Sequence, residues 1–104
     1  MKKPINKLVR DNIPSICEQN GSIPKTKILD QEAYTAALKT KLQEEVNEYL
    51  ADNTIEELAD ILEVVQALAE NQGASLDAVM DTKQRKQSKN GAFKKRIYLI
   101  SVES

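Results

Sequence analysis

The chain has no histidine and no tryptophan. That excludes imidazole bases, Ser-His triads and histidine-ligated metals. Its one cysteine, Cys17, can form neither an intrachain disulfide nor a cysteine zinc site, and reads as a small buried apolar residue. The three glycines are far apart, which rules out a glycine-rich phosphate loop. No apolar run approaches the roughly 20 residues that span a bilayer. Charge of either sign is not in excess: the formal net charge is −1, so no global field favours nucleic acid or an anionic membrane. A single thiol and the lack of a cationic-then-apolar leader point to a reducing cytoplasm. At 104 residues, one domain is expected.

What is abundant is acid, and it is patterned. Glu44-Glu45-x-x-Glu48 is followed by Glu57-x-x-Asp60. Residues three apart share a helix face, so each cluster offers a pair of carboxylates. The break Ala51-Asp52-Asn53-Thr54 suits the turn of an antiparallel helical hairpin. Facing positions in such a hairpin have a constant sum of residue numbers, which sets Glu48 opposite Glu57 and Glu45 opposite Asp60. Four converging carboxylates need protons or cations, and Mg²⁺ is the hard ion that prefers oxygen ligands.

Punctuation divides the rest. Pro14 and Asn20-Gly21 bracket a short helix over 14–20. Asp30 caps a long helix to about Ala51, Asn53 or Thr54 caps the next, which ends before Gly73, and Ser75 caps a fourth that stops at Asn90-Gly91. Ile23–Leu29 and Phe93–Val102 read as strands that pair. The expected fold is mainly α: a compact helical bundle with a small two-stranded antiparallel β-ribbon.

At about 100° per residue, Tyr34, Leu38, Leu42 and Tyr49 form the apolar stripe of the long helix, with Glu45 in its middle and Glu48 on its flank. Tyr34 and Tyr49 belong to this core rather than to a base-stacking surface. In the next helix Leu58, Ile61, Leu62, Val65, Leu68 and Ala69 make the apolar face. Glu57 sits beside Ile61, Val64 and Leu68, with Asp60 at the border. A carboxylate on a core stripe is costly unless paired or metal-bound. Glu44 points further from the stripe, where it can orient a water, and Glu63 lies on the far side. Solvated acidic faces are common, however, and Thr54-x-x-Glu57 also matches a capping box.

The two acidic clusters resemble the metal-binding signature of the MazG-like all-α nucleoside triphosphate pyrophosphohydrolases. Lys7-Leu8-Val9-Arg10-Asp11-x-Ile13-Pro14 and the stretch from Lys83 through Gly91, Phe93, Arg96 and Ile97 are similar to one small house-cleaning branch of that superfamily. The resemblance implies that Glu45, Glu48, Glu57 and Asp60 bind Mg²⁺, with Mn²⁺ as a substitute. It also implies a nucleoside triphosphate substrate cut between the α- and β-phosphates, and a homo-oligomer. The spacing between the clusters is short for the superfamily, and Gly91-Ala92 stands where paired glycines are expected.

Glu44 and Glu48 are the candidates to orient the attacking water. Lys83, in phase with Leu76, Val79 and Met80, together with Lys86 and Arg96, is expected to meet the β- and γ-phosphates; the competing reading makes the lysines surface cations favoured by a helix C-terminus. Arg10 and Asp11 either tie down the N-terminal segment or reach over the nucleotide. Two other functions fit the same residues: a phosphoribosyl-ATP pyrophosphohydrolase, and a non-catalytic metal-binding helical interaction module. No feature reads the base.

Overall fold

A computed structural model describes residues 3–104. Four helices follow one another: α1 (Ile13–Gln19), α2 (Gln31–Asp52), α3 (Ile55–Asn71) and α4 (Leu76–Asn90). Their starts are fixed locally. The Asp30 side chain accepts from the Ala33 N–H at 2.8 Å, Thr54 from the Glu57 N–H at 3.2 Å, and Ser75 from the Ala78 N–H at 3.1 Å, each satisfying a donor that the helix leaves free. Gly73, just beyond α3, has φ = 83°, a conformation glycine adopts without steric cost.

The two long helices, α2 and α3, form an antiparallel hairpin joined by only Asn53 and Thr54. Asn53 closes α2 in the left-handed region, φ = 57°, and its N–H donates to the Tyr49 carbonyl, an arrangement asparagine tolerates better than most residues. At the other end of the hairpin, the Asn71 side-chain amide donates to Thr35 Oγ1 at 2.9 Å and accepts from Gln31 at 2.6 Å. These bonds lock the register from the end opposite the turn. Between the two ends, Leu38, Val64 and Ala69 are the buried apolar residues. Helix α4 packs on α3.

Val64 rather than Leu58 or Leu62 is at the centre of the α3 contact, and both leucines are exposed. The inward face of α3 is therefore rotated toward the side that carries Glu57, Ile61 and Leu68, which are all partly buried.

No strand occurs among the described residues, so the expected β-ribbon is absent. Ile23 and Ile28 are 96% and 97% exposed, and Phe93 is 98% exposed. The second segment is broken by a turn in which the Arg96 N–H donates to the Phe93 carbonyl at 3.2 Å, with Arg96 at φ = 57°. Pro24 removes a ladder donor from the first. A two-stranded ribbon is marginal in water unless it packs an apolar face, and here neither segment has one covered. These extended segments project from the helices. The radius of gyration is 18.4 Å, against about 13 Å for a compact 100-residue chain. No helix among the described residues is long and apolar enough to cross a membrane.

Candidate metal centre

The acidic residues lie at the turn end of the α2–α3 hairpin. Ligand oxygens of Glu45, Glu57 and Asp60 come within 4.8 Å of one another, joining the two helices. Oxygens of Glu44, Glu45 and Glu48 do the same along α2. Glu45 belongs to both groups and is only 6% exposed. Glu44, Glu57 and Asp60 are half-buried, and Glu48 is exposed. The sequence register set Glu45 against Asp60 and Glu48 against Glu57; Glu45 and Asp60 fall in one close group together with Glu57, and Glu48 groups with Glu44 and Glu45.

Half of a capping box forms at the start of α3, through Thr54 and the Glu57 N–H. The Glu57 carboxylate itself turns toward Glu45 and Asp60, and its Oε2 is buried without a hydrogen-bond partner. Glu45 Oε2 is likewise buried and unpartnered. Such orphaned acceptors are uncommon in folded proteins and costly where they occur.

Cations surround the cluster. Within α2, Lys41 Nζ lies 3.3 Å from both Glu44 Oε1 and Glu45 Oε1. From the segment before α1, Lys7 Nζ reaches Glu44 Oε1 at 3.3 Å. Arg10 Nη2 donates to Asp60 Oδ1 at 2.7 Å, and Arg10 Nη1 lies 3.6 Å from Glu63. Sequence reasoning missed Lys41 and Lys7. The signal for Lys41 was present, since it stands three and four residues before Glu44 and Glu45. Lys7 is brought in by tertiary structure alone.

These neighbours set the proton affinities. Loss of hydration raises the Glu45 carboxyl above its ordinary value, and the adjacent Glu48 adds to the rise while Lys41 opposes it. Glu44 also loses hydration, but Lys41 and Lys7 outweigh that loss and hold it below the ordinary value. Lys41 is desolvated too, yet its two carboxylate partners leave its ammonium harder to deprotonate than usual. Six carboxylates (Glu44, Glu45, Glu48, Glu57, Asp60 and Glu63) against three cations (Lys7, Arg10 and Lys41) leave the group net negative when all are ionised. The donor set is all hard oxygen, and two of its buried oxygens lack partners, a combination suited to a hard cation.

The other sequence candidates form no ion pair with the cluster among the described residues. Lys83 and Lys86 on α4 are exposed, although Lys83 was expected on an inward stripe, and Arg96 is exposed in the segment beyond α4. Ion pairs to the cluster come instead from Lys7, Arg10 and Lys41.

No protein-family model matches the chain, and no solved structure matches it. An uncharacterized protein of Mycolicibacterium smegmatis is 45% identical over 47 residues, which are 45% of this chain and 48% of that protein. The matched stretch thus spans about half of the relative's length.

Proposed function

We propose that this chain is a nucleoside triphosphate pyrophosphohydrolase that depends on a divalent cation and releases a nucleoside monophosphate and pyrophosphate. The observation that carries the reading is the Glu45 carboxylate, buried on a core stripe with one oxygen unpartnered and shared between acidic groups on two facing helices. Evolution of a stable hairpin alone gives no reason to keep it.

Glu45, Glu48, Glu57 and Asp60 would hold Mg²⁺, with Mn²⁺ as a substitute. When bound, the ion offsets the triphosphate charge and lowers the pKa of a water. Glu44, whose proton affinity Lys41 and Lys7 hold below the ordinary carboxylate range, orients the attacking water as a hydrogen-bond acceptor. Glu48, at the exposed mouth of the group, takes the proton and passes it to solvent. A bond forms from the water oxygen to the α-phosphorus, and the bridging oxygen leaves with pyrophosphate. Attack at the α-phosphorus follows the resemblance to the MazG-like enzymes. Lys83, Lys86 and Arg96 meet the β- and γ-phosphates in this reading.

The exposed apolar residues Leu50, Ile55, Leu58 and Leu62 lie around the turn and along α3, and support assembly into a homo-oligomer. House-cleaning of modified or surplus nucleotides in the cytoplasm is the matching biological role.

The test is a panel of nucleoside triphosphates with Mg²⁺, with pyrophosphate and orthophosphate measured separately. Pyrophosphate that disappears in the folded Glu45→Gln and Glu57→Gln proteins supports the reading. Orthophosphate alone refutes the bond assignment. Turnover of phosphoribosyl-ATP alone, with complementation of histidine auxotrophy, moves the chain to that reaction. Metal binding without turnover of any of these leaves a non-catalytic module.

A further inference from the structure

The segment before α1 crosses the hairpin at the acidic end. Three residues apart in it, Lys7 contacts Glu44 on α2 while Arg10 contacts Asp60 and Glu63 on α3. Leu8, between them, is half-buried. The two cations thus engage carboxylates of both helices of the hairpin.

They differ from Lys41 in a way that separates roles. The Lys41 side chain is 23% exposed, and it serves two carboxylates of its own helix. Those of Lys7 and Arg10 are 52% and 55% exposed while still bonded to the cluster. A guanidinium has five N–H donors and an ammonium three. Arg10 has one short bond, to Asp60 at 2.7 Å, and Lys7 one contact at 3.3 Å. Each therefore keeps N–H donors beyond those that meet the carboxylates, on a side chain more than half exposed. A plain tether would need neither the pair of positive charges nor their exposure.

We infer that Lys7 and Arg10 are a substrate clamp: they bind phosphate oxygens of the nucleotide at the metal centre, with Asp60 and Glu44 as the partners that hold them in place. The inference rests on the proposed pyrophosphohydrolase reading, and on the unpartnered, buried Glu45 that marks the acidic group as a ligand site. The planar fork of arginine suits two phosphate oxygens at once, which lysine cannot reproduce.

The test uses the full chain and its Lys7→Ala, Arg10→Ala and Arg10→Lys variants. Mn²⁺ binding is measured alone by electron paramagnetic resonance. Binding of a non-hydrolysable α,β-methylene nucleoside triphosphate with Mg²⁺ is measured by calorimetry, and kcat and KM with the hydrolysed nucleotide. Each alanine variant should weaken analogue binding and raise KM by about ten- to a hundredfold. Mn²⁺ affinity should stay the same or tighten, because a competing cation has gone. Arg10→Lys should recover part of the loss. Should Arg10→Ala lose its fold by circular dichroism, Lys7→Ala and Arg10→Lys decide the matter. Wild-type turnover with analogue affinity unchanged in those variants overturns the clamp and leaves the parent reading standing. A wild-type protein that neither binds Mn²⁺ nor releases pyrophosphate overturns both.

Discussion

Replacing Glu45 by glutamine should make the metal-free protein more stable and the metal-loaded protein less so. Glu45 is 6% exposed, and its Oε2 has no partner. An unsatisfied buried polar group costs about 1–3 kcal/mol and a charged one more, and glutamine, still polar but uncharged, relieves the excess. Neutralising Glu45 forfeits the contact with the partly exposed Lys41, worth up to about 1 kcal/mol. The balance is a gain of about 1 kcal/mol in chelator, or about 4–8 °C in Tm for a domain of this size. With Mn²⁺ at a hundred times its Kd, wild type gains about 2.7 kcal/mol by mass action, and the variant, short of a ligand, gains little. The two melting curves should therefore change order between EDTA and Mn²⁺. Differential scanning calorimetry at pH 7.5 and one fixed protein concentration reads both conditions. A variant that melts below wild type in EDTA, yet shows the same metal increment, would refute the reasoning.

The pH dependence has a definite sign. The folded Glu45 carboxyl lies above its ordinary 4.5, so between the two values the native state holds a proton that the unfolded chain has lost. Wild-type stability in chelator falls as pH rises through that window. Urea melts should show the Glu45→Gln advantage shrinking toward zero as pH drops to 4.5, while the opposing Glu44 contribution, common to both proteins, cancels. At the turn, Asn53→Ala should cost about 1–2 kcal/mol for a left-handed residue with a Cβ, and Asn53→Gly much less; both are read in the same melts. Thr54→Ala removes the α3 cap and should cost about 1 kcal/mol. Gel filtration with light scattering should find a mass above 11.7 kDa for one chain, and Leu58→Glu with Leu62→Glu should lower it; a monomeric wild type would remove the oligomer.

The helices were legible because their signals are local. Asp30, Thr54 and Ser75 cap the elements that their side chains announce, and Gly21, Gly73 and Gly91 follow helix ends in the positive-φ region. The inward placement of Glu45 was legible from phase, because Leu38 and Glu45, seven residues apart, lie on one stripe and both are buried. The strands were not, because β-propensity says nothing about whether a partner is available, and a single turn at Arg96 is enough to break the run. Lys83 shows the limit of phase alone. Its helix packs on α3, but the lysine itself is exposed. Arg10 does tie the N-terminal segment down, as one of its two sequence readings had it, but Lys7 shows the converse: nothing in the periodicity of α2 or α3 could reveal a cation delivered by a segment more than thirty residues earlier in the chain.

The two-residue link between α2 and α3 acts as an indexing device. Asn53 and Thr54 are each committed, one to a left-handed closure and the other to a cap, so no spare backbone is available to absorb a length change. An insertion drawn into the start of α3 would turn Glu57 and Asp60 by about 100° per residue, and one such residue is enough to swing them away from Glu45. Length variation at this point is therefore restricted to additions that bulge outward or come close to whole helical turns.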